Sequence, residues 1–276
     1  MKKQAKITML DTYIPIHQRS KGAARVMLGH DGTVVDLFQQ GSAKAILPRV
    51  HTNVPEVVFL NTSGGLTGGD RLSFCLDIAD ETTVMAATQT AERAYASSGG
   101  SAEVDVDIRV GSGAFCLWMP QETILFESAS MQRKTRVTLA EGARYLGVET
   151  LVLGRAAMGE VPRNLDFSDQ RQVFLADGVP LHAEHIALTS NTLLGRENRA
   201  GLAGNTVFAS LVYVAPDAQD HLEHVRRIAN ATAVVSAWGN RLVVRVEGCD
   251  SWDVRHTLIP IIKALGINHV PRVWQT

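Results

Sequence analysis

A chain of 276 residues, 45% of them hydrophobic, is long enough for one sizeable core and apolar enough to fill it. Its 27 lysines and arginines against 28 aspartates and glutamates leave a formal net charge of -1, which argues against a protein built to coat nucleic acid or an anionic membrane. Cys75, Cys116 and Cys249 are odd in number, far apart and never in a Cys-x-x-Cys pair, so neither a disulfide framework nor a thiolate metal knuckle is indicated, and small buried apolar roles are expected for them.

The opening "MKKQAKITMLDTYIPIHQ" is basic but lacks the apolar core of a signal peptide, and no later stretch approaches the apolar length needed to cross a bilayer. A cytoplasmic location is the expectation. Strand periodicity then dominates. "LSFCLDI" from Leu72 and "AEVDVDIRV" from Ala102 alternate apolar and polar residues, as do "KTRVTL" from Lys134 and "RLVVRVE" from Arg241. Each should have one buried and one wet face, which makes the ladder Glu103, Asp105 and Asp107 a solvated sheet face rather than a metal site. The runs "TVMAAT", "AFCLWM", "LGVETLVLG", "TVFASLVYV" and "ATAVVSA" read as strands covered on both faces. "GRENRAGLAGNT", from Gly195 to Thr206, lacks apolar periodicity and reads as a loop.

Helical pattern is confined to the C-terminal part. "DAQDHLEHVRRIAN" places Leu222, Val225 and Ile228 at helical spacing, with acids early and Arg226 and Arg227 late. "SWDVRHTLIPIIKALG" is a second helix, capped by Asp250 or Ser251, stopped by Gly266, and expected to kink or divide at Pro260. With no internal repeat, low-complexity tract or linker, residues 1–276 read as a single domain.

"NTSGGLTGGDRLSF", from Asn61 to Phe74, is the densest local signal. Gly64 and Gly69 have P-loop spacing, but Asp70 stands where the phosphate-binding lysine must be, and a carboxylate there repels phosphate. Neither a dinucleotide fingerprint nor a nucleophile elbow fits. The glycines Gly64, Gly65, Gly68 and Gly69 instead predict a tight strand-to-strand turn that presents Asp70 and Arg71 to the interior.

Further motifs follow in order: "TQTAERAY" from Thr88, "WMPQETILFESA" from Trp118, "ETLVLGRAAMGE" from Glu149 and "VPRVW" from Val270. This series resembles the urease accessory protein D family. Asn61, Gly64, Gly65, Gly69 and Asp70 match its glycine motif. Leu153, Gly154, Arg155, Gly159 and Glu160 match its Leu-Gly-Arg-x-x-x-Gly-Glu motif, and Pro271, Arg272 and Trp274 its terminal Pro-Arg-x-Trp. Thr62 replaces a usual proline, and Arg93 and Ala96 replace a lysine and an arginine.

The resemblance implies a mainly β fold of layered, β-helix-like sheets with the two C-terminal helices packed alongside. It also implies a non-catalytic scaffold that binds urease apoprotein and accessory proteins F and G, the latter a GTPase, and through which nickel passes without a tightly bound cofactor. For such a passage the carboxylates Asp70, Glu122, Glu149 and Glu160 are the candidates, with Arg71 and Arg155 orienting or neutralising them, because an ion in transit suits scattered single acids better than a closed cage. A structural ion pair between Arg155 and Glu160 is the competing expectation. His182 and His185 are weak metal candidates, no tight site being expected. Pro271, Arg272 and Trp274 are candidates for a partner surface. Two rivals remain at this point: a chaperone that only reshapes urease, and a hydrolase using Asp70 or Glu160 as base.

Overall fold

The computed structural model describes residues 19–49, 54–155, 158–229 and 233–275. The basic opening segment through Gln18, the Ala156–Ala157 pair of the Leu-Gly-Arg motif and the first residues of "ATAVVSA" lie outside the described residues.

The strands come in chain order as β1 (Lys21–Leu28), β2 (Val34–Gly41), β3 (Ala43–Ile46), β4 (Glu56–Asn61), β5 (Arg71–Ile78), β6 (Thr83–Thr88), β7 (Glu92–Ala94) and β8 (Ala102–Val110). Next are β9 (Phe115–Trp118), β10 (Thr123–Leu125), β11 (Ala129–Leu139), β12 (Arg144–Leu153), β13 (Leu165–Leu175) and β14 (Pro180–Thr189). A short helix α1 (Ser190–Leu193) precedes β15 (Val207–Val214), and α2 (Leu222–Ile228), β16 (Ala233–Trp238), β17 (Arg241–Gly248) and α3 (Ser251–Ala264) complete the series. Arg272–Trp274 form a single 3-10 turn.

These strands build a seven-stranded sheet in the order β14-β13-β11-β8-β5-β1-β2 and a ten-stranded sheet with the path β16-β17-β15-β12-β9-β6-β4-β3. From β4 to β13 the chain winds between the two, and β1, β5, β8, β11 and β13 are parallel neighbours in one sheet while β4, β6, β9 and β12 are parallel neighbours in the other. The result is the β-helix-like layering that the family resemblance implies. Arg71, Glu103, Gln132 and Ser168 share one column of this stack at unequal chain separations, so turns of variable length absorb the differences and no sequence repeat survives.

Alternation decides what each strand buries. Along β8 the residues Ala102, Val104, Val106, Ile108 and Val110 are buried, while Glu103, Asp105 and Arg109 are exposed. The acidic ladder is thus a solvent face, and β11 sets Lys134 beside Asp105 and Arg136 beside Asp107 on it. β6, β9, β12 and β15 are covered on both faces, but on β16, an edge strand, only one face is covered: Val235 is buried in the second apolar cluster and Val234, on the opposite face, is exposed. A second apolar cluster forms where α2 and α3 cover the outer face of the ten-stranded sheet.

α3 begins at Asp250, whose side chain caps Trp252 N, and it runs unbroken from Ser251 to Ala264 with Pro260 inside it. The expected division at Pro260 therefore does not occur; Val254, Leu258, Ile261 and Ile262 stay on one buried face across it. Among the cysteines only Cys116 is fully buried; Cys75 is half-buried and Cys249 exposed.

Candidate functional site

The glycine stretch closes on itself. Asp70 is buried, and its two carboxylate oxygens accept hydrogen bonds from Ser20 N at 2.7 Å and Thr67 N at 2.9 Å. Gly68 is needed because a Cβ there would meet Ser97 Oγ at 2.0 Å and the Gly100 carbonyl at 2.4 Å. Asn61 accepts from Ser63 N and donates to Glu92. Arg71, expected inside, instead points to solvent on β5 and pairs with Glu103 at 3.1 Å, since one step along a strand reverses the face.

The Leu-Gly-Arg motif lies beside this turn. Leu66 bridges to Ala94, Tyr95 packs on Phe126 with ring centroids 5.1 Å apart, and Arg155 stacks over Phe126 at 4.9 Å. Glu160 pairs with Arg155 and accepts from Glu127 N at 2.9 Å. Burial pushes its acidity one way, but these donors outweigh it and hold the carboxyl below the usual range. Gly154, at φ +76, has no room for a side chain against the Glu160 carbonyl. Glu122 lies elsewhere, paired with Arg255 at 3.1 Å.

Glu149 is the acid that the fold places at the centre. It lies on β12 with 4% exposure, facing the seven-stranded sheet. Its Oε1 accepts from Trp118 Nε1 at 2.9 Å, and its Oε2 lies 2.8 Å from Arg133 Nη1 without hydrogen-bond alignment. From Arg133 the charges continue: Arg133 forms a two-pronged pair with Asp169, Asp169 also binds Arg171, Arg171 binds Glu184 at 3.0 Å, and Glu184 binds Arg245 at 2.8 Å and Ser210 Oγ at 3.2 Å. Asp169 is fully buried; burial would raise its pKa, but Arg133 and Arg171 lower it to about 2. Burial likewise works against the Arg133 guanidinium, and Asp169 and Glu149 more than reverse it. Glu92, across the same space, has Asn61 and the Arg93 N–H as donors, and burial raises its pKa.

Three spaces adjoin this chain of ions. One of about 90 Å³ is lined by Asn61, Glu92, Trp118, Arg133 and Glu149 among others. A narrow one of about 20 Å³, room for about one water, shares Glu149 with it and adds Arg171, His182 and Glu184. A cleft of about 300 Å³ shares Glu184 and reaches Arg245, Leu202 and Phe208 beneath the Gly195–Thr206 segment.

His182 faces the narrow space, where burial lowers its pKa, whereas His185 sits on the outer face bonded to Ser168 Oγ at 3.0 Å. Three residues apart on a strand, the two cannot share one ion. Among the described residues no three His, Cys, Asp or Glu side chains cluster to hold a metal. Pro271 and Trp274 are buried, the Trp274 indole N–H donating to the Met119 carbonyl at 2.8 Å, while Arg272 is exposed.

Sequence reasoning missed Glu92, Arg133, Asp169, Arg171 and Arg245. The signal was parity: Arg133 falls in phase with Met131 and Val137, and Asp169 and Arg171 in phase with Phe167 and Val173, which are inward positions.

Fold and site together define a parallel β-solenoid of two facing sheets, closed by antiparallel strands and helices, with an ionic seam between the sheets. The family model described as UreD urease accessory protein matches residues 20–275. Similar proteins include urease accessory protein UreD of Dinoroseobacter shibae, 46% identical over 96% of this chain and 95% of that one, and of Cereibacter sphaeroides, 45% identical over 94% and 96%. That of Paracoccus denitrificans is 42% identical over 97% of this chain and 96% of its own length. The chain belongs to the UreD urease accessory protein family, and its role lies in urease maturation.

Proposed function

We propose that this chain is a non-catalytic scaffold that binds urease apoprotein and accessory proteins F and G, and that nickel passes along its ionic seam toward urease. The carrying observation is that buried carboxylates shared by adjoining spaces, Glu149 and then Glu184, run between the two sheets. Burying so many charges between β-sheets is poorly justified by stability, because hydrocarbon of the same volume serves as well or better. A row of single carboxylates, each shared with an arginine, offers a divalent cation successive weak ligands and no cage to trap it. Glu92 and the unaligned oxygen of Glu149 face the same space and supply the negative charge at one end. Asp70, Glu122 and Glu160 are each occupied by structural donors, so Glu149 is the acid on which the reading rests.

The test uses cells expressing urease and the other accessory proteins with this chain absent, intact, or carrying Glu149→Gln or Glu160→Gln. Urease-bound nickel and urease activity are measured, and assembly is followed by co-purification. The intact chain should restore both, and Glu149→Gln should assemble normally yet deliver little nickel. Full delivery by an assembled Glu149→Gln chain would leave the scaffold and remove the passage.

A further inference from the structure

The tail segment shapes a second feature outside the ionic seam. An open cleft of about 560 Å³ lies between Gln89, Thr90, Gln121, Arg255, Arg272 and Val273. Its arginines are held differently. Arg255 stacks over Trp274 at 5.4 Å and gives its guanidinium to Gln121 Oε1 at 2.6 Å and Glu122 Oε2 at 3.1 Å, so its charge is already balanced. Arg272 is exposed; its backbone N–H is fixed by the buried Glu56 at 3.2 Å, and its guanidinium forms no ion pair among the described residues. The buried Trp274 and the bond from Gln121 to the Val273 carbonyl hold the turn that carries it.

We infer that this cleft docks an extended, acidic segment of a partner protein, with one aspartate or glutamate carboxylate received by Arg272 and adjacent peptide groups by Gln89 and Thr90. The Arg272 guanidinium acts on Glu56 only from a distance and makes no contact ion pair among the described residues, so it has room for one carboxylate, whose two oxygens its planar fork can pair at once. The amide of Gln89 offers both donor and acceptor, as a peptide backbone requires. A nucleotide or free phosphate fits worse, because of the two arginines lining the cleft Arg255 is already paired with Glu122, which leaves a polyanion a single guanidinium. The inference is independent of nickel transit; only the assignment of the segment to a urease-maturation partner rests on the proposed function.

The experiment uses the isotopically labelled full chain, with the side-chain amide signals of Gln89 and Gln121 and the Nε–H signal of Arg272 followed by NMR. The probe is an acetylated, amidated Gly-Glu-Gly-Glu-Gly peptide, and the comparison arms are its Gln counterpart, inorganic phosphate and ADP. The acidic peptide should shift all three signals saturably, and Arg272→Gln should weaken binding by about tenfold or more, the loss expected of a charge-assisted pair. Arg272→Lys should recover part of it, and Arg109→Gln, on the opposite sheet, should change nothing. An unmoved Trp274 indole signal shows that the turn survives Arg272→Gln; if it moves, Gln89→Glu puts a like charge into the cleft from another element and should weaken the peptide equally. Equal binding by the Gln peptide, undiminished binding to Arg272→Gln with its turn intact or to Gln89→Glu, or tighter binding of phosphate or ADP would overturn the inference. None of these outcomes bears on nickel delivery by Glu149.

Discussion

The two halves of the seven-stranded sheet bury the same positions with opposite chemistry. In β5 and β8 the inward columns are Leu72 beside Val104, Phe74 beside Val106 and Leu76 beside Ile108. One and two strands further on, the same columns become Arg133 beside Asp169 and Thr135 beside Arg171, and return to hydrocarbon only at Val137 beside Val173. Backbone geometry and parity are unchanged; only the side chains differ. Hydrocarbon holds a stack together without direction, whereas paired ions hold it only while every partner is present.

Breaking one ion should therefore show the largest effect. Asp169→Ala leaves Arg133 and Arg171 facing each other in the core and should destabilise the fold by about 3–5 kcal/mol, read by denaturant unfolding. Phe74→Ala in the apolar half should lose about as much, roughly 3–5 kcal/mol, through its cavity, but without lowering nickel delivery per folded chain. Replacing the ions together sharpens the contrast. A chain carrying Arg133→Met, Glu149→Gln, Asp169→Leu and Arg171→Met, which leaves Glu184 with Arg245, should unfold within about 1–4 kcal/mol of the parent, on either side, while urease-bound nickel falls. Retained delivery by that stable variant would reduce the seam to packing.

Acidity separates the halves more gently. The folded pKa of Asp169, about 2, lies below its ordinary value near 4, so the stability it lends is present above that ordinary value and is lost as pH falls toward 2. Glu92 works in the reverse sense: its raised folded pKa means that stability is lost as pH rises through it, and Glu92→Gln should abolish that loss in thermal melts taken across a series of rising pH. The smallest change belongs to the wet face, where Arg71→Ala removes an exposed pair with Glu103 and should shift stability by about 1 kcal/mol or less.

Much of this architecture was legible. Alternation in "AEVDVDIRV" separated the buried valines from the solvated acids, and the helix over Ser251–Ala264 was readable from its cap and spacing. Motif order carried the family. The ionic seam was harder, because it depends on which strands become neighbours: Arg133 and Asp169 are far apart in sequence and meet only through the parallel register of β11 with β13. "KTRVTL" was read from Lys134, one residue past the inward arginine that matters. Arg71 failed for the opposite reason, since its neighbour Asp70 is buried by the turn while the strand beginning at Arg71 turns its first side chain outward. His182 and His185 were weak metal candidates by their closeness in sequence, and a strand sets them on opposite faces.

The tail segment has a consequence for how the fold is reached. Arg272 N meets Glu56 across 216 positions, and Trp274 meets the Met119 carbonyl across 155. Successive coils can stack as they leave the ribosome, each on the one before, but this clasp cannot close until residues 271–274 have emerged. Until then the Glu56 carboxylate and the Met119 carbonyl lack these donors, so the last residues of the tail complete the hydrogen bonding of segments laid down far earlier.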